Sequence, residues 1–92
     1  MLVLHQIVAR SPDTVSRVIG EEAVIILPEL GELKVVNEVG ARLWNLVDSQ
    51  KTIADLVNII CEEFDVTRDV GEQDVLDFLQ QMVDKKMLII VK

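Results

Sequence analysis

The 92-residue sequence has no tyrosine, one tryptophan and two phenylalanines. So few rings argue against an aromatic-lined cofactor pocket, and no cofactor is expected. The single cysteine, Cys61, excludes an internal disulfide; its place in an apolar run reads as an inert, buried thiol. The single histidine, His5, lies near the chain start, and without a Cys/His cluster there is no metal-ligand set. The four glycines are isolated, so no glycine-rich phosphate loop is present. The serines lack a nucleophile motif and a base placed to serve them. Glu62-Glu63 and Asp74/Asp77 read as solvated helix faces, not acid–base pairs. Positive charge is scarce: 9 Lys and Arg against 16 Asp and Glu give a net charge of −7. A nucleic-acid partner, which is held by neutralising phosphates, is therefore not expected. No apolar run approaches the ~20 residues that cross a bilayer. "MLVLHQIVA" lacks the basic start and small-residue cleavage site of a signal peptide, so a cytoplasmic chain is expected. What remains is a non-enzymatic chain of one-domain size, with half its residues apolar and mostly Val, Ile and Leu.

Those apolar residues fall into short, punctuated runs. "TVSRVIG" alternates and reads as a strand ending at Gly20. "EAVIILPELGELKVVN" is two apolar runs separated by a turn at Pro28 to Gly31, giving a hairpin over residues 22–27 and 32–37. With the first strand it makes a three-stranded meander. In the third strand of that meander, Leu33, Val35 and Asn37 face one way and Glu32, Lys34 and Val36 the other. The first set is expected to meet the core. That strand is an edge, with N–H and C=O groups open to another strand.

Three helices follow. Asn37 is the expected N-cap of the first, which ends near Asp48-Ser49. "TIAD" opens the second, with Thr52 and Asp55 at capping-box spacing. Thr67 or Asp69 caps the third, which runs to about Lys86. The tail "LIIVK" is a short strand or wing, and the first dozen residues are expected to be loosely held, leaving an ordered domain of about 13–92. At ~100° per residue the third helix shows two apolar stripes. Leu76, Leu79 and Val83 are the expected core stripe; Val75, Phe78 and Met82 are the expected lining of an open groove.

Four segments, in order, resemble one family. Val36-Asn37-Glu38-Val39-Gly40-Ala41-Arg42-Leu43-Trp44 matches its Leu-Asn to Trp helix start. Asp48-Ser49-Gln50-Lys51-Thr52 matches the turn into its second helix. Phe64-Asp65-Val66 and Asp74-Val75-Leu76-Asp77-Phe78-Leu79-Gln80-Gln81-Met82 match its next joint and third helix. Over about Val15–Val91 the chain resembles the PqqD-like proteins, the leader-recognition elements of ribosomally made, post-translationally modified peptides. It departs from them at Ser49, where glycine is usual, and at Lys86-Met87, where Gly-Leu is typical.

The resemblance implies an α+β fold akin to a winged helix-turn-helix: three antiparallel strands followed by three helices. It implies a partner, the leader segment of a precursor peptide, added as a strand to the third strand in the groove with the third helix. A modifying enzyme or leader peptidase of the same pathway would be the second partner. The expected peptide-contacting residues are Glu32, Leu33, Lys34, Val35, Val36, Asp69, Asp74, Val75, Phe78, Leu79 and Met82, so that Leu79 is placed in both sets. "NEVGARLW" on a short free-standing chain looks closest to the leader-binding subunits of lasso-peptide systems; the pyrroloquinoline-quinone pathway chaperone is the alternative. A DNA-binding winged helix is the rival from another class. It would set Asp69, Glu72, Asp74 and Asp77 against phosphates, and those acids cannot supply the common Arg or Lys pairing to guanine. A purely structural or oligomerisation module, resting on self-pairing of the exposed strand edge, is a third. The chain itself is expected to be a monomer or weak dimer.

Overall fold

Pro28 and Gly31 bracket the hairpin. Pro28–Leu30 forms one 3₁₀ turn, and Gly31 closes it at φ 66°, in the left-handed region that glycine enters without strain. In the computed structural model, which describes residues 1–91, this turn joins the two strands of the hairpin. Lys92, the end of the expected tail, lies outside the described residues. The elements in order are β1 (Ile7–Arg10), β2 (Val15–Ile19), β3 (Glu22–Leu27), β4 (Glu32–Val36), α1 (Glu38–Leu46), α2 (Ile53–Glu63), α3 (Arg68–Asp84) and β5 (Leu88–Val91). The fold is α+β and winged helix-turn-helix-like. A three-stranded antiparallel sheet of order β2-β3-β4 precedes three helices, and β1 pairs with β5 in a second, two-stranded sheet.

The caps follow their local chemistry. Asn37 Oδ1 accepts the Gly40 N–H at 3.0 Å and starts α1. Thr52 and Asp55 make the reciprocal capping box of α2, at 3.1 and 3.0 Å. Thr67 stands at the N-cap of α3 but makes no side-chain cap bond. Arg42 forks onto Glu63, both contacts at 2.8 Å, tying α1 to α2. The hydrogen bond from the guanidinium holds the Glu63 carboxyl below its ordinary range.

Three expectations are corrected. The faces of β4 are reversed. Leu33 and Val35 are 56% and 55% exposed, whereas Val36 is 4% exposed. The cause is register: Val36 pairs with Ala23 and Lys34 with Ile25. Directly paired residues share a face, and Ala23, Ile25 and Leu27 are the buried side of β3. Second, Cys61 is half-buried. Its Sγ packs where a Cβ on Gly71 would stand, and points at the Thr67 carbonyl 3.8 Å away.

Third, the chain start is held. Val8 and Ala9 of β1 are buried, as is Leu2. β1 pairs antiparallel with β5 in the register Ile7↔Val91 to Arg10↔Leu88. The Gln6 and Leu4 carbonyls accept the N–H groups of Ile53 and Ala54, each at 2.9 Å. These donors belong to the first turn of α2, which has no partners within the helix. Arg10 also lies over the ring of Trp44, 5.8 Å from its centroid. Trp44 itself is buried, with its indole N–H unpartnered.

The family's two missing glycines leave a mark on the backbone. Ser49 has φ 68° and Lys86 φ 64°, both left-handed. Around Ser49 the Asp48 carboxylate compensates by accepting from the Lys51 ammonium and from the Lys51 and Gln50 N–H groups. Those bonds, the Lys51 side chain first, hold it well below the usual carboxylate range.

Two outcomes are expected. Deleting residues 1–10 removes the burial of Leu2 and Val8, worth about 1.5–3 kcal/mol each, and the acceptors for α2. Thermal melting should fall by more than about 10 °C, and unchanged melting would show the segment to be dispensable. Lys86→Gly relieves a left-handed residue that no side-chain bond compensates, and should raise stability by about 0.5–1 kcal/mol on chemical denaturation.

Candidate functional site: the groove between β4 and α3

β4 is bonded to β3 on one side only. Its other edge is unpaired within the sheet and faces α3. Between them lies a cleft of about 370 Å³ lined by residues of β4, the start of α1 and the middle of α3. That volume lies at the low end of the range of ligand-binding clefts.

The floor is apolar: Val36 and Leu43 are buried, with Val39 and Phe78 partly buried. The rim is polar. Lys34 stands on the strand side, and Asp74, Asp77 and Gln81 line the helix side. At helical spacing these last three fall on one face with Phe78. Asp77 accepts from Gln73 at 2.8 Å. Past the cleft, Lys85 Nζ bonds Glu32 Oε2 at 3.2 Å and links the end of α3 to the start of β4.

Gly40 sets how closely the walls approach. A Cβ there would stand 2.9 Å from Phe78 Cε1 and 2.9 Å from the Val36 Cβ. α1 can therefore sit against both the strand and the Phe78 ring only because this residue has no side chain. Asn37 caps at the same residue, so helix start and close approach coincide.

Of the residues expected at the site, Lys34, Val35, Val36, Asp74 and Phe78 line the cleft. Glu32 lies at its end in the bridge to Lys85. Leu33 points to the opposite face of the sheet, and Asp69 is exposed in the first turn of α3, away from the cleft. Val75, Leu79 and Met82 are each 0% exposed. They form the buried stripe of α3, so placing Val75, Leu79 and Met82 among the peptide-contacting residues is corrected; Leu79 is core, as its other placement expected. Reading Leu76 and Val83 as core centre is corrected too, since those two are only partly buried. Both stripes are apolar, and packing against α2 and β5 selected the other one. The sequence reading missed Asn37, Val39, Gly40, Leu43, Asp77 and Gln81. The period of Asp74, Asp77 and Gln81 with Phe78 could have found the helix side; nothing local marks Leu43.

A family model described as Coenzyme PQQ synthesis protein D (PqqD) matches residues 22–88. The chain belongs to the PqqD family. That match runs from the start of β3 to the start of β5 and takes in the whole cleft. Among solved structures, this PqqD-family chain is similar to TbiB1 in complex with the TbiA(β) leader peptide. The two are 32% identical with a TM-score of 0.78, over 87% of this chain and 93% of the other. No curated protein sequence matches the chain at a significant level.

The separation of floor from rim is directly testable. Met82→Ala should cost about 2–5 kcal/mol, as for other buried large-to-small changes. Gln81→Ala, one residue away on the rim, should cost within about 0.5 kcal/mol. Chemical denaturation of the two variants checks this, and equal losses would mean that Met82 is not core.

Proposed function

We propose that this PqqD-family chain binds the leader segment of a ribosomally synthesised precursor peptide and presents it to a modifying enzyme or leader peptidase. The leader adds as an antiparallel strand to the open edge of β4, in the groove with α3. Main-chain hydrogen bonds to β4 supply affinity, and alternate side chains entering the cleft supply selectivity. The observation that carries this reading is the unpaired edge of β4 facing an apolar-floored cleft. It is supported by the likeness to a structure that holds a leader peptide.

The chain acts as a binding and presenting partner, and the chemistry belongs to the enzyme it serves. The setting is cytoplasmic. A lasso-peptide type of pathway is favoured, because the chain is similar over most of its length to a short leader-binding protein.

Charge around the cleft gives the peptide an orientation. Asp74 and Asp77 lie on the helix side and Lys34 on the strand side. A leader with a basic group toward α3 and an acidic one toward Lys34 satisfies both. Such exposed pairs are worth about 0–1 kcal/mol each, so they tune the choice of peptide more than they hold it.

The test is a titration of the isotope-labelled chain with a synthetic leader from a precursor encoded beside it. Amide shifts should concentrate on residues 32–36 and along the cleft-facing side of α3. In the same assay Lys34→Glu should weaken binding by up to about fivefold, corresponding to ~1 kcal/mol, and more so at low salt. Shifts confined to α2 would overturn the proposal.

A further inference from the structure

We propose that the carboxyl-terminal side of the leader continues past Glu32 into a second cleft, which holds an apolar side chain of the leader downstream of the added strand. This rests on the strand-addition reading above and extends it to a further site. The second cleft, of about 570 Å³, opens between the 3₁₀ turn Pro28–Leu30, the end of α3 and β5. Leu27 and Leu88, both buried, give it an apolar floor. Leu30 from the turn, Val83 from α3, and Ile89 and Ile90 from β5 complete its lining. Leu30 and Ile89 are 54% and 47% exposed, so much of this apolar surface is left open.

Direction brings the leader to it. The Phe78 ring comes against Gly40 beside Val36, at the end of β4, whereas Lys85 bonds Glu32 at the start of that strand. α3 therefore runs antiparallel to β4, and its last turn, with Val83, comes to the start of the strand. A leader added antiparallel to β4 runs the same way as α3. It enters beside Val36 and leaves beside Glu32. Leu30, on the second cleft, stands just two positions before Glu32, and two residues span at most about 7 Å. An extended chain advances ~3.3 Å per residue, so about two or three residues beyond the one opposite Glu32 reach the cleft. The two clefts are consecutive along one peptide path, with the Lys85–Glu32 bridge between them.

The lining defines what is held. Its aliphatic side chains suit an apolar side chain, whose burial needs no polar partner. The charged lining residues, Asp13, Glu29 and Lys86, are exposed, and none of them joins an ion pair among the described residues. They stay hydrated at the surface while the apolar group is covered. Once β4 holds the strand, contact with the second cleft is intramolecular and adds to the affinity of the whole leader. It also fixes where the leader departs from the protein, and so where the segment that follows is offered to the enzyme.

The test titrates the isotope-labelled whole chain with synthetic peptides: the leader encoded beside it, and versions shortened residue by residue from the carboxyl end. Amide shifts at residues 32–36 should persist through the first cuts. Those at Leu30, Lys86 and residues 88–90 should disappear, with a loss of affinity of about tenfold. Leu30→Glu and Ile89→Glu lie at exposed positions, and their folding can be checked by circular dichroism. Each should weaken the full leader about tenfold and leave the shortened leader unchanged. Shifts at 32–36 with none at the second cleft would overturn the proposal alone. So would loss of the second set on trimming the amino end, which would reverse the leader's direction. Variants that weaken both peptides equally, or neither, would also overturn it, the latter giving the cleft to another occupant such as the enzyme. Absence of shifts at 32–36 would instead overturn the strand-addition reading, and this proposal with it, so the responding residues tell the two failures apart.

Discussion

The approach of α1 onto β4 and α3 at Gly40 is the constraint on which the groove depends. A helix start must satisfy its first N–H groups, and Asn37 does so at the Gly40 amide. The same residue must let Val36 and the Phe78 ring come within contact, which any Cβ would oppose. Cap and close approach in one turn hold the sheet and α3 at a set distance. The cleft is the space left over. Leu43, one turn further along α1, closes its floor.

This arrangement separates the work of α3 into two faces. Val75, Leu79 and Met82 anchor the helix in the core, with no exposed surface. Asp74, Asp77 and Gln81 stand on the adjoining face around Phe78. A peptide strand laid along β4 would meet backbone on one side and this polar rim on the other, over an apolar floor. Phe78 belongs to both worlds, being packed against the core and open to the cleft. The bridge from Lys85 to Glu32 fixes the far end of the helix to the strand it faces.

The second sheet supports the first from a distance. β5 follows α3 and pairs with β1, while the segment before β1 gives its carbonyls to the start of α2. The N-terminal segment thus ties α2 to the end of α3. The open edge of β4 is mounted on a frame secured at three corners: the α1 cap, the Lys85–Glu32 bridge and the β1–β5 pair.

Local chemistry was legible in the sequence. The turn at Pro28 to Gly31, the caps at Asn37 and Thr52, the three helices and the family resemblance all rest on residues a few positions apart, where φ limits, capping bonds and helical period act directly. Orientation was not legible. A period of two says that Leu33 and Val35 share a face, and a period near 3.6 says that Val75, Leu79 and Met82 nearly do. Neither says which face turns inward: in β4 the more apolar face lies outside, and in α3 both stripes are apolar. The partner strand decided the first, through the pairing of Val36 with Ala23. Packing of α3 against α2 and β5 decided the second. β1 lay beyond reach for a different reason: its partner is at the opposite end of the chain, and the signal in "QIVAR" is too short to stand without it. Gly40 could be read as part of a motif, but its purpose appears only where Phe78, 38 positions further along the chain, is brought against it.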